Sequence, residues 1–229
     1  MLQANARLAE TYTPTGISRD NGQTMPALPA GSQALFIGDS WAEGVGASDK
    51  ADGNWAALTA DYFGWERTID GIGGTGFVRG GGSQEGAIGN DNNQYINRLN
   101  FWIEDPDMTP DLVVIEGGLN DDKAEPADLR AAVKDVATRA KEAWPDTSVL
   151  VMGPAAPQPL GAMLQRMAEP IRSGALDAGA FTIQPVLRGW FTEENSAQFL
   201  VPGDGAHVND AGHQYTSQRL IAAIQELQN

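Results

Sequence analysis

The chain has 229 residues, 41% hydrophobic and 20% charged, enough to bury a sizeable core in one α/β domain. Its formal net charge of −15 disfavours nucleic acid or an anionic membrane surface as the main partner and reads as a solvated, soluble surface. With no cysteine it has neither a disulfide framework nor a thiolate metal site, and the redox compartment stays open.

The opening MLQANARLAE lacks the basic-then-apolar layout of a signal peptide, and no stretch is long and apolar enough to span a bilayer. Either the protein is not exported by that route, or a leader or upstream domain lies outside this sequence. An extracellular place, or one in a larger surface or virion assembly, stays open. Residues 1–32 are polar, with little periodicity, and read as an N-terminal arm or linker ahead of a domain at 33–229.

From Ala34 the pattern changes. Ala34-Leu35-Phe36-Ile37-Gly38 is a short apolar run ending in glycine, as expected of a buried parallel strand. Asn54 to Phe63 has helical spacing, with Trp55, Leu58 and Tyr62 on one side and Gly64 as the stop. Trp65 to Ile69 reads as a second strand, followed by a glycine-rich stretch from Gly71 to Gly89. Tyr95 to Ile103 reads as a helix and Asp111 to Glu116 as a third strand. Pro126 opens an amphipathic helix through Leu129, Val133, Val136 and Ala140. Ser148 to Met152 is a fourth strand, Leu160 to Leu176 a helix broken near Pro170, and Phe181 to Ile183 a short fifth strand. A last helix runs from about Ala211 to Leu227. Strands and helices alternating in this way predict right-handed crossovers and a parallel three-layer α/β/α sandwich. Its site then lies at the carboxyl ends of the strands, where Ser40, Gly74 and Asn120 all fall.

Four short blocks carry chemistry. Gly38-Asp39-Ser40 puts a serine hydroxyl at a strand end, beside backbone N–H groups that can stabilise negative charge. Alone it reads as a structural turn, and its position after the first strand, followed by Gly44, is what favours the catalytic reading. Asp204-Gly-Ala-His207 pairs a carboxylate with an imidazole in a Pro-Gly-Asp-Gly loop, though an Asx turn or a cap has the same spelling. The chain has two histidines, and His213 lies on the last helix, so His207 is the candidate base. Gly117-Gly-Leu-Asn120-Asp121 follows the third strand. Asn120 can offer an amide N–H to an oxyanion, or serve as a turn residue or helix cap. Gly71-Ile-Gly-Gly74-Thr-Gly76 spells a dinucleotide fingerprint, but it follows the second strand and Phe77-Val-Arg-Gly does not begin a helix. These glycines better suit a backbone N–H, that of Gly74, approaching a substrate closely. Asp121-Asp122 and Asp91-Asn92-Asn93 lack cation-loop spacing and read as solvated turns. Trp41 and Trp190 are candidates to line a cleft.

Taken together, the blocks resemble the GDSL-type, or SGNH, hydrolase family. Its pattern is Gly-Asp-Ser after strand one, a loop Gly after strand two, Gly-x-Asn-Asp after strand three and Asp-x-x-His before the last helix. Here stand Gly38-Asp39-Ser40, Gly74, Gly118-Leu-Asn120-Asp121 and Asp204-Gly-Ala-His207, in that order. One departure is visible: the family usually has an Asn a few residues before the loop Gly, whereas Ile69-Asp70-Gly71 stands here.

The resemblance implies a flavodoxin-like sandwich with a mostly parallel five-stranded sheet, and a serine ester hydrolase. It implies Ser40 as nucleophile, His207 as base and Asp204 as its orienter. The Ser40 and Gly74 N–H groups and the Asn120 amide would receive the oxyanion, with no metal or organic cofactor. A small acyl ester, acetyl above all, or an acetylated glycan is the substrate expected. The competing reading is a glycan-binding or structural module of a larger surface or tail assembly, with vestigial esterase activity. A long-chain lipase is disfavoured, because no apolar lid run is present and the acidic surface repels anionic lipid.

Overall fold

The computed structural model describes residues 24–81 and 92–229. The first part of the expected arm, the second half of the glycine-rich stretch and Asp91 lie outside the described residues. Five strands, β1 (Gln33–Gly38), β2 (Glu66–Gly71), β3 (Leu112–Glu116), β4 (Ser148–Met152) and β5 (Phe181–Ile183), form one sheet in the order β2-β1-β3-β4-β5. Every neighbouring pair is parallel. The α/β sandwich expected from the alternation is therefore the one observed.

The strand side chains alternate between two buried clusters. Phe36, Val114 and Leu150 face α2 (Trp55–Phe63) and α7 (Asp210–Leu227), represented by Trp55, Ala60, Leu220 and Ile224. Leu35, Ile37, Val113, Ile115 and Val151 face the other way. There they meet Leu99 of α3 (Tyr95–Ile103), Val133 of α4 (Pro126–Ala143) and Ile171 of α5 (Leu160–Asp177). Both faces of the sheet are thus covered, as the near-continuous apolar runs of β1 and β3 require.

The chain leaves β1 toward β2 on one side and returns to lay β3 on the other. This reversal opens a crevice at the carboxyl ends of β1 and β3, and the segments after them meet there.

Four details depart from the sequence reading. Residues 24–32 do not stand apart from the domain: Met25 is 1% exposed and its N–H donates to Leu227 O at 2.9 Å, so the core reaches back to it. The fifth helix continues through Pro170 to Asp177 instead of breaking. Leu164, Met167, Ile171 and Ala175 are buried on both sides of the proline, and that packing outweighs the one backbone donor it lacks. The segment Glu193–Phe199, to which the sequence reading gave no element, is a helix, α6, opened by a capping box between Thr192 and Asn195. On α2 the buried face is Trp55, Ala56, Ala57, Thr59 and Ala60, while Tyr62 is 59% exposed. The small residues let α2 approach α7 closely enough for the Thr59 and Ser217 hydroxyls to bond at 3.0 Å.

Gly71 marks where β2 touches the turn after β1. A Cβ there would run into the backbone of Ala42 and Glu43. Gly71→Ala is expected to cost about 1–3 kcal/mol in denaturant unfolding, because the obstacle is backbone and cannot repack. Gly81→Ala, with nothing among the described residues within 4 Å of the added methyl, is the control expected to be near neutral.

Candidate active site

Ser40 opens a single-turn helix, α1 (Ser40–Glu43), directly after β1. Asp39 caps it, accepting the Trp41 N–H at 2.9 Å, and Gly44 ends it at φ 83°. Ser40 is only 7% exposed, yet its hydroxyl has a partner from the far end of the chain. Its Oγ lies 2.9 Å from His207 Nε2.

His207 sits in a tight excursion closed by the antiparallel bridge between Leu200 and Val208. Gly203 and Gly205 take φ 82° within it. Asp204 organises the turn by accepting the Ala206 N–H at 2.9 Å and the His207 N–H at 2.7 Å. Both its carboxylate oxygens lie 2.9 Å from His207 Nδ1. The Asx turn and the orienting of the imidazole are therefore one arrangement, not alternatives. With Nδ1–H donating to Asp204, Nε2 is left to accept from the Ser40 hydroxyl. Slight desolvation pushes the Asp204 pKa up, but the bonds from the His207 ring and the two backbone N–H groups outweigh it. Its carboxyl is held below the usual range.

Among the described residues, no acceptor occupies the N–H of Ser40 or of Gly74. Gly74 takes φ 80°, a conformation that favours glycine. Asn120 follows β3, and its amide donates to Thr75 O at 2.9 Å and Asp39 Oδ2 at 3.1 Å, in the residues next to Gly74 and Ser40. Both its N–H groups are engaged, so one must be released before it can bond an oxyanion. The five residues singled out by sequence thus converge: Ser40, His207 and Asp204 directly, and Asn120 and Gly74 through Thr75.

Other candidates resolve differently. Trp41 and Trp190 are not at a cleft surface among the described residues; they are 1% and 0% exposed, inside the core. His213 is fully buried, with Nε2 donating to Val45 O at 3.2 Å, and burial pushes its pKa down. Asp121 is buried and accepts the N–H groups of Phe77, Val78 and Arg79 at 2.9, 3.0 and 2.9 Å, which fixes the loop after Gly74. Beside Asn120 opens a cleft of about 400 Å³ lined by Val78, Arg79, Asp122, Lys123 and Ala124. A larger groove between α4 and α5 shares no residue with this constellation.

Sequence reading assigned no role to the carboxylates beneath the serine. Asp39 is fully buried, and burial pushes its pKa up to about 7. The Trp41 N–H and the charge of His207 oppose that rise, Asp121 adds to it and Arg98 opposes it. Glu116, at the end of β3, is likewise buried, and its Oε2 has no hydrogen-bond partner. Burial first, then the charge of Asp39, raises its pKa well above the ordinary value. A group raised in this way favours folding below its unfolded pKa and costs stability as pH rises toward the folded value.

A parallel α/β/α sandwich with a serine, an imidazole and a carboxylate hydrogen-bonded at its carboxyl edge defines a class of hydrolases. The chain matches the family model for the GDSL-like lipase/acylhydrolase family over residues 36–215 and belongs to that family; it is an ester hydrolase. It is 29% identical over 196 residues to a GDSL lipase of Mycobacterium tuberculosis, covering 82% of this chain and 79% of that one. Its fold resembles that of Axe2, an acetylxylan esterase from Geobacillus stearothermophilus, with TM-score 0.62 and 16% identity, over 87% of this chain and 96% of that one. It also resembles a family 2 carbohydrate esterase from Corynascus thermopiles, with TM-score 0.63 and 20% identity, over 89% of this chain and 68% of that one. No helix among the described residues is long and apolar enough to cross a membrane.

Glu116→Gln replaces the buried acid with a neutral group of the same shape. Its stability gain over wild type is expected to grow between pH 5 and pH 8, reaching on the order of 1–3 kcal/mol. Urea unfolding at the two pH values measures it; a gain larger at pH 5 would contradict the assignment of Glu116 as a buried group resisting ionisation.

Proposed function

We propose that the protein hydrolyses small acyl esters, acetyl esters of a carbohydrate in particular, through Ser40, His207 and Asp204. The observation that carries this reading is the unbroken hydrogen-bond path from Ser40 Oγ through His207 to Asp204. Ser40 Oγ attacks the ester carbonyl while its proton passes to His207 Nε2. The resulting alkoxide oxygen is received by the Ser40 and Gly74 N–H groups and by the Asn120 amide once it lets go of Asp39 or Thr75 O. His207 then gives its proton to the departing alcohol, leaving an acyl-serine. A water molecule, deprotonated by His207, attacks that ester, and collapse of the second tetrahedral intermediate releases the carboxylic acid and returns the proton to Ser40. Asp204 keeps the imidazole in the tautomer that accepts from serine and stabilises its charged form. Nothing in this sequence of steps calls for a metal or organic cofactor.

The preference for a small acyl group draws on the acetyl ester in the name of one structural neighbour, an acetylxylan esterase. The preference for a glycan draws on the names of two structural neighbours, an acetylxylan esterase and a carbohydrate esterase. Its acidity makes a neutral glycan a better partner than nucleic acid or anionic lipid.

Ser40→Ala is expected to abolish hydrolysis of a chromogenic acetyl ester; retained activity would remove Ser40 from the mechanism. Asn120→Ala is expected to lower kcat by about 10²–10³, the effect of losing one oxyanion donor. A loss below about threefold would exclude Asn120 from that role. Graded p-nitrophenyl esters beside acetylated polysaccharides test the substrate: falling kcat/KM with acyl length and release of acetate from glycan support the reading, and a preference for long chains contradicts it.

A further inference from the structure

Arg98 lies outside every block that points to the site, yet it is completely buried behind it. On α3 it follows Tyr95 by three positions and precedes Leu99, so helical spacing puts a cation in the middle of the apolar stripe. A charge removed from water in this way persists only if its bonding is nearly complete.

The bonding is specific. Nη1 donates to Gly38 O at 2.9 Å and to Thr75 Oγ1 at 3.1 Å. Nε donates to Asp70 Oδ2 at 3.2 Å, and Nη2 pairs with Asp70 Oδ1 at 2.8 Å and also reaches Asp70 O. Trp102 Nε1, one turn further along α3, holds Asp70 Oδ2 at 2.8 Å. Gly38 is two residues before Ser40, Thr75 is the residue after Gly74, and Thr75 O accepts the Asn120 amide. One planar group therefore touches the β1 end that presents the serine and the β2 loop that presents Gly74. Asp70, the residue that departs from the family pattern, is its counter-ion.

We propose that Arg98 is a positioning residue for the oxyanion-binding groups, fixing the spacing between the Ser40 and Gly74 N–H groups and, through Thr75, the Asn120 amide. The proposal rests on the esterase reading above. The guanidinium suits the task because its donors leave in fixed, coplanar directions, whereas a lysine ammonium supplies charge without that fork. The spacing matters more for the tetrahedral intermediate than for the ester, since the donors must meet an oxygen that moves as charge develops on it.

The test uses full-length protein, p-nitrophenyl acetate as substrate and phenylboronic acid as a mimic of the tetrahedral adduct. Arg98→Lys is expected to lower kcat by about 10–100-fold with KM within about twofold, and to weaken boronate inhibition by a similar factor. Measurement is made at a temperature where circular dichroism shows the variant folded. Thr75→Val removes the Oγ1 link together with the 2.6 Å bond that Oγ1 donates to Ile72 O, and is expected to lower kcat severalfold with the same split, whereas Thr75→Ser, which keeps both bonds, is expected to retain wild-type kcat. This pair decides the matter alone if Arg98→Lys does not fold. Unchanged kcat and boronate affinity in the folded variants overturn the proposal while leaving the esterase reading standing. A rise in KM alone also overturns it. Absence of turnover by the wild-type protein sinks the esterase reading and this proposal with it.

Discussion

One hydrogen bond closes the site, and it joins residues 167 positions apart: Ser40 Oγ to His207 Nε2 at 2.9 Å. Neither partner is placed by its own neighbourhood alone. Ser40 is set by the end of β1 and a cap on a four-residue helix, His207 by a loop between α6 and α7. They meet because α7 is anchored against the α1 turn: Asp210 Oδ1 accepts the Ser48 N–H at 2.7 Å, and His213 bonds Val45 O. The buried His213 thus acts through packing, holding the loop that carries the other histidine.

Beneath the serine the molecule concentrates charge in a dry place. Asp39, Glu116 and Arg98 are buried together, and Asp121 lies close by. Such groups are costly unless each has a partner, and most of them do. Asp39 links the Ser40 turn to Asn120, Asp121 pins three successive N–H groups of the β2 loop, and Arg98 ties that loop to β1. The exception is Glu116 Oε2, which has no hydrogen-bond partner; the Asp39 N–H and the charge of Arg98 offset only part of the cost of ionising the group. Polar bonding inside a low-dielectric site resists the small displacements that would spoil the proposed oxyanion-binding geometry.

Much of this was legible in the sequence. The apolar runs of β1, β3 and β4 and the glycines that stop elements imposed the alternation, and the blocks around Ser40, Gly74, Asn120 and His207 located the crevice. What escaped had a physical cause in each case. The Thr192–Asn195 capping box was readable, but α6 is short and polar and buries little beyond Ser196, so it leaves no apolar stripe. The fifth helix survives Pro170 because tertiary packing exceeds one missing bond, a balance that local propensity does not contain. Trp41 and Trp190 followed the general tendency of indoles toward clefts, whereas here both lie in the buried cluster, Trp41 against Phe191 and His213 of α7. The engagement of both Asn120 N–H groups depends on carbonyl and carboxylate positions that no spacing encodes. Arg98 left a clear signal, a cation at a core position of an amphipathic helix, that the motif blocks overshadowed.

The claim that a hydroxyl and an imidazole from opposite ends of the chain form one reactive unit is tested most directly by trapping it. Wild-type protein treated with a fluorophosphonate and analysed by intact mass and peptide mapping is predicted to gain a single adduct, on Ser40, at a rate that collapses in His207→Ala. Labelling on another serine, or equally fast labelling of Ser40 without the imidazole, would contradict the account.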